Sequence, residues 1–172
     1  MVATMLPIRL LWDGALAPAA EHACVQIALA GSELVVDVDA PWHGDPAPAG
    51  PAGSTAALWE HEVVELFLLG ADDRYLEVEL GPHGHYLVIE LCGYRNRTRQ
   101  HLPIRYQAAR HGGRWRGQAQ VPHALVPAGL ARANAYSIHG TGAMRRFLAC
   151  FAVPGPAPDF HRLERFGPIE LG

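Results

Sequence analysis

Lysine is absent from this chain: all 14 of its positive side chains are arginine. No internal side chain can therefore form a Schiff base, and no P-loop lysine is available to a phosphate. Cysteine is scarce as well. Cys24, Cys92 and Cys150 are far apart, odd in number and free of any CxxC pair, which argues against a disulfide framework or a zinc knuckle. Reduced, mostly buried thiols are expected. Long apolar runs are missing too. The N-terminal apolar stretch is broken by Pro7 and Arg9 and carries no small-residue cleavage site, and no later segment approaches the length of a membrane span. A soluble, cytoplasmic protein without a signal peptide is the expectation. A net charge of −3 gives no basic footprint for DNA or RNA. Neither nucleic acid nor a membrane is expected as a partner. The arginine-only, Ala-, Gly- and Pro-rich composition reads as the coding bias of a GC-rich bacterium.

What is present suits a single all-β domain spanning residues 1–172. The 49% of apolar residues are enough to fill one continuous core. They recur with period two in short runs separated by Gly, Pro, Asn and Asp, the pattern of antiparallel strands. Nine strands are expected: 24–29, 33–39, 62–69, 74–81, 85–92, 104–111, 114–121, 135–140 and 144–151. Amphipathic helices are lacking, and Pro122–Leu130 has room for one short turn before Pro127 and Gly129 stop it. Residues 41–55, dense in Pro, Gly and Ala, read as an exposed loop. The tail 154–172 alternates prolines with Phe160, Leu163, Phe166 and Ile169 and is expected to wrap over the sandwich. The fold class is a two-sheet antiparallel β-sandwich with jelly-roll-like or immunoglobulin-like connections.

Three central strands alternate strongly enough to set their register. With Gly70-Ala71-Asp72-Asp73 as a turn, Leu68 faces Leu76, Leu66 faces Val78 and Val64 faces Leu80, which sets Glu65 opposite Glu79 and Phe67 opposite Glu77. With His83-Gly84 as a two-residue turn, Leu80 faces Leu87, Val78 faces Ile89 and Glu77 faces Glu90. A one-residue slip would pair Glu79 with Leu87. In this reading Glu65, Glu77, Glu79 and Glu90 share one face with Val63, Phe67, Tyr75 and Tyr86, and the opposite, apolar face is the core. Like charges opposed across strands are destabilising, by roughly 0.2–1 kcal/mol. Arginines from other segments, a bound cation, or a ligand donating hydroxyls are the three ways to compensate. The Tyr94–Arg99 segment is one source of donors. In the last hairpin, setting Ile138 against Phe147 also sets His139 against Arg146, which adds two candidates. A plain solvated face with ordinary surface pairs is the alternative.

The segment Leu58-Trp59-Glu60-His61-Glu62-Val63-Val64-Glu65-Leu66-Phe67-Leu68, followed by Tyr75-Leu76-Glu77-Val78-Glu79-Leu80, resembles the DOMON-like superfamily. In particular it is similar to type 9 carbohydrate-binding modules, in which a Trp leads into an acidic-apolar strand and a hairpin. Ala133–Gly140 and Pro158–Glu164 look like an uncharacterised bacterial and eukaryotic branch of that group. The resemblance spans about Val25 to Phe166. It implies a β-sandwich whose concave face binds sugar or, in other branches, haem. It also implies that Glu77 and the Arg95-Asn96 segment are polar sugar contacts, with Trp59 and Trp42 as stacking candidates. A stand-alone chain without a signal peptide points to a soluble intracellular sugar or metabolite.

Other signals carry less. His61-Glu62-Val63-Val64-Glu65 lacks the second histidine of a zinc-peptidase helix and alternates as a strand. His83 and His85 flank a turn, where solvated imidazoles are the ordinary case. No nucleophile elbow accompanies Ser137 and His139, and none of His139, His161 and Met144 is marked as a haem ligand. The leading reading is a non-catalytic module that binds a sugar or another small polyhydroxylated metabolite, with no cofactor and no metal. Its ligand contacts are Trp59, Glu65, Glu77, Glu79, Glu90, Arg95, Asn96, His139 and Arg146. The alternatives are a small hydrolase using two of the glutamates and a domain whose acidic face meets a basic protein.

Overall fold

Period-two alternation folds here as strands throughout. The structure, a computed structural model, describes residues 3–171 and contains no α-helix among them. In chain order the strands are β1 (Ala3–Ile8), β2 (Leu10–Leu11), β3 (Ala23–Ala30), β4 (Glu33–Pro41), β5 (Gly53–Ser54), β6 (Val63–Leu69), β7 (Arg74–Leu80), β8 (His85–Cys92), β9 (Arg97–Gln100), β10 (Arg105–His111), β11 (Arg114–Pro122), β12 (Arg132–His139), β13 (Arg146–Ala149) and β14 (Gly167–Pro168). The nine expected strands are all there. Of the additional five, only β1 is longer than four residues, and Pro7 breaks its strand pattern; it pairs only with β3, at a sheet edge where a missing ladder donor is tolerated.

The strands form two sheets. One has the order β1-β3-β4-β11-β10, and the other runs β2-β13-β12-β6-β7-β8-β5, with β14 beside β12 and β9 beside β8. Every pairing is antiparallel except β5 with β8. Between the sheets lies a core of Leu6, Ile8, Val25, Ile27, Val36, Leu66, Leu68, Leu76, Val78, Val88 and Trp115. A second apolar cluster sits on the far face of the larger sheet, where Phe67, Tyr75, Leu87, Ile89 and Tyr136 pack against Phe160 and Phe166 from the C-terminal segment. The larger sheet is thus covered on both faces, which is why every residue of β6 is buried.

The β6–β7 register agrees with the expectation at every pair, Glu65 against Glu79 and Phe67 against Glu77 included. The β7–β8 register does not: Leu80 faces Tyr86, Glu79 faces Leu87 and Glu77 faces Ile89, one residue away from the expected pairing. The cause is turn length. Gly81 N–H donates to the His85 carbonyl, leaving a three-residue loop of Pro82, His83 and Gly84, and Gly84 supplies the left-handed residue such a loop needs with φ +84°. The slip moves Leu87, Ile89 and Leu91 onto the acidic face. It moves Tyr86 and Glu90 off it.

Residues 41–55 are held at several points. The backbone N–H groups of His43 and Asp45 donate to the buried Glu62 carboxylate at 3.0 and 3.1 Å, and Asp45 accepts the Gly140 N–H at 2.6 Å. This accounts for a glutamate at the head of β6 that burial would otherwise penalise.

Candidate functional site

The β6–β7 pairing brings three glutamates together beneath the C-terminal segment. Glu65, Glu77 and Glu79 are 2%, 3% and 0% exposed, so the face they share is not solvated. One carboxylate oxygen from each lies within 4.8 Å of the other two. Glu77 Oε2 and both oxygens of Glu79 have no hydrogen-bond partner. An uncompensated buried ion carries a penalty on the order of several kcal/mol. Burial, reinforced by the Glu77 charge, raises the Glu65 carboxyl well above its ordinary range, and burial pushes Glu77 up to about 7. Glu79 is raised as well, by burial first and then by the charges of Glu65 and Glu77.

Above Glu65 opens a cleft of about 310 Å³. Trp59, Phe147, Pro158 and Phe160 form its walls, and Arg95, Arg145 and His161 stand around it. Trp59 sits on a short 3-10 turn, Leu58–Glu60, that leads into β6. Arg145 fixes this turn by donating to the Trp59 carbonyl and, at 2.8 Å, to the Glu60 carbonyl. The Arg97 guanidinium lies 4.8 Å from the centre of the Trp59 ring. Phe160 stacks on Tyr136 at 3.8 Å, with the Tyr136 hydroxyl donating to the Phe160 carbonyl at 3.1 Å.

Arg95 closes one end. Its guanidinium bonds Asp159 at 2.9 Å, and the Tyr94 hydroxyl donates to the same carboxylate at 2.6 Å. Its backbone N–H, in a left-handed residue, donates to the Tyr75 hydroxyl at 3.2 Å. That hydroxyl also hydrogen-bonds His161 Nδ1 at 2.8 Å, and the other ring nitrogen, Nε2, lies 3.9 Å from Glu77 Oε2. Burial, and after it the Arg95 charge, lowers His161 to about 4, so the ring is neutral at pH 7.

Of the nine residues expected to form the site, Trp59, Glu65 and Arg95 line the cleft, and Glu77 and Glu79 lie buried with Glu65. The other four are elsewhere. Glu90, carried to the opposite face by the register slip, pairs with Arg99 at 2.5 Å and accepts the Thr98 hydroxyl at 2.8 Å. Asn96 turns inward to the Cys92 carbonyl at 3.0 Å. His139 and Arg146 do face each other, but on the side of β12 and β13 away from Ile138 and Phe147; both approach Glu21, and His139 stacks on His43 at 3.5 Å. Trp42 packs between Arg110 and His83. Sequence reasoning missed Arg145, Phe147, Pro158, Phe160 and His161 as cleft residues. The Ile138–Phe147 pairing already implied that Phe147 points away from Arg146; lacking was the β6–β12 pairing, Glu65 against Tyr136, that says which face holds the glutamates.

A wider concavity of about 560 Å³ lies on the outer face of the smaller sheet, but no Trp, Tyr or Phe lines it. The cleft over Glu65 combines aromatic walls with convergent polar groups and is the better candidate.

The fold is shared with solved carbohydrate-binding proteins. A candidate carbohydrate-binding protein from Bacteroides uniformis ATCC 8492 superposes with a TM-score of 0.77 at 17% identity, covering 98% of this chain and 86% of that one. A family 9 carbohydrate-binding module from Caldicellulosiruptor kristjanssonii in complex with cellotriose gives 0.62 at 16% identity, over 98% of this chain and 82% of that one. The module in complex with glucose gives 0.63 at 16% identity, over 96% and 82%. No family model matches the chain. Curated relatives do: the UPF0462 protein C4orf33 homologs of Danio rerio, 40% identical over 95% of this chain and 87% of that one, and of Mus musculus, 39% identical over 95% and 90%. The chain belongs to the UPF0462 family. These relatives are vertebrate, which counts against reading the arginine-only composition as a mark of bacterial origin.

Proposed function

We propose that the protein is a non-catalytic binding module for a sugar or a similar small polyhydroxylated molecule, held in the cleft over Glu65. The observation that carries this reading is the cleft itself: Trp59, Phe147 and Phe160 line it together with carboxylate and guanidinium groups. Flat rings take the apolar faces of a pyranose, and the charged groups accept from and donate to its hydroxyls. The family 9 modules that share the fold have structures in complex with cellotriose and glucose. The kinship with DOMON-like proteins belongs to the same proposal. A hydrolase built on two of the three clustered glutamates needs both at the substrate; of those three only Glu65 lines the cleft, beside Glu60.

Calorimetric titration with glucose, cellobiose and cellotriose tests the reading. At least one is expected to bind with a Kd of about a millimolar or tighter. Trp59→Ala is expected to weaken it about tenfold or more, the equivalent of roughly 1.4 kcal/mol of lost stacking. Absence of heat with all three sugars, or undiminished affinity in Trp59→Ala, would falsify it.

A further inference from the structure

The glutamates beneath the cleft bring together carboxylate oxygens that no neighbouring cation pairs with directly. Glu79 is fully buried, points into the cluster and finds no hydrogen-bond partner on either oxygen, and Glu77 Oε2 finds none. The nearby arginines are engaged elsewhere: Arg95 with Asp159, Arg145 with the Trp59 and Glu60 carbonyls, Arg97 on the Trp59 ring. Among the described residues the only basic group within 4.0 Å of the three carboxylates is His161, at 3.9 Å from Glu77. Buried carboxylates are paired, hydrogen-bonded, protonated or bound to metal, and no cationic side chain pairs with Glu79.

We propose that Glu65, Glu77 and Glu79 form a binding site for a hard divalent cation of the calcium, magnesium or manganese kind. The register supplies the geometry: Glu65 and Glu79 are directly opposed across β6 and β7, and Glu77 lies two residues along the same face. The donors are all carboxylate oxygens, the set that suits hard cations and gives zinc or copper none of the thiolate or imidazole ligands they favour. Oxygens within 4.8 Å of one another span no more than one coordination sphere, since the calcium–oxygen bond is about 2.3–2.6 Å. Glu65 lines the cleft, so a cation enters from that side and keeps its open positions towards it. The site stands whether or not the cleft takes a sugar.

The test is titration of EDTA-treated, desalted protein with CaCl2, MgCl2, MnCl2 and ZnCl2, followed by calorimetry and thermal unfolding. One of the first three is expected to bind with one-to-one stoichiometry and to raise the melting temperature by several degrees, as a ligand of the native state must. Glu79→Gln, nearly isosteric, is expected to abolish both effects, whereas Glu90→Gln on the opposite face keeps them. Should Glu79→Gln lack the wild-type far-UV spectrum, Glu65→Gln at the cleft gives the same reading. The proposal fails if no cation produces heat or a shift, if zinc binds more tightly than the other three, or if binding survives in folded Glu65→Gln or Glu79→Gln protein.

Discussion

His139 and Glu90 show how closely the role of a side chain depends on which way its strand faces. Burial, and after it the neighbouring His43, holds His139 down to about 4, well below its ordinary 6.5. The unfolded chain therefore takes up a proton at higher pH than the native protein does. The resulting stability is fully present above about pH 6.5 and is lost as pH falls towards 4. Urea unfolding at pH 7 and pH 5 checks this: His139→Gln is expected to remove about 1 kcal/mol of the acid-induced loss, with solvent screening allowed for. Part of the loss will remain in the variant, because His161 is lowered to about 4 in the same direction. An unchanged slope in His139→Gln would mean that the stacked ring gains its proton as easily as a free one. Glu90 is held below its ordinary range, chiefly by Arg99, and Glu77 is raised by burial. Both are strand glutamates, and only the face distinguishes them.

At the scale of elements, the Pro82-His83-Gly84 turn decides which face that is. Gly84 has φ +84°, and a Cβ there would stand 3.1 Å from Ala52 Cβ. Gly84→Ala is expected to lower stability by about 1–2 kcal/mol in urea melts, since an L residue resists this conformation. Gly113→Ala, with nothing within 4 Å and no left-handed φ, is the control and should be close to neutral. The β6–β7 hairpin was legible from sequence because Leu66, Leu68, Leu76 and Val78 alternate cleanly about a turn whose length is unambiguous. The β7–β8 hairpin was not, because Pro82, His83 and Gly84 serve a two-residue or a three-residue loop alike, and Leu87, Ile89 and Leu91 are as apolar as a core face would be. The apolar acidic face itself had no local signal: it becomes buried only through Phe160 and Phe166, far along the chain. Two-residue strands such as β5 and β14 owe their geometry to a neighbour and carry no periodicity of their own.

For the whole molecule, the decisive feature is that the larger sheet is buried on both sides, by the smaller sheet on one and by the C-terminal segment on the other. Phe166, 1% exposed, packs edge-on against Phe67 with ring centres 5.9 Å apart. Phe166→Ala is expected to destabilise the fold by about 3–5 kcal/mol, within the range for buried aromatic truncation. Thermal or urea unfolding measures it. A loss well under 1 kcal/mol would show that the segment adds little to the second cluster.

Trp59 and Phe160, two of the residues that wall the cleft, are separated by about a hundred residues of chain. Joining them closes a long loop, a slow event whose entropic toll is met before any contact rewards it. Until the C-terminal segment docks, Glu65, Glu77 and Glu79 face water, where three negative charges repel only weakly. Docking removes that water. The contact that completes the cleft is therefore also the one that takes the acidic cluster out of water.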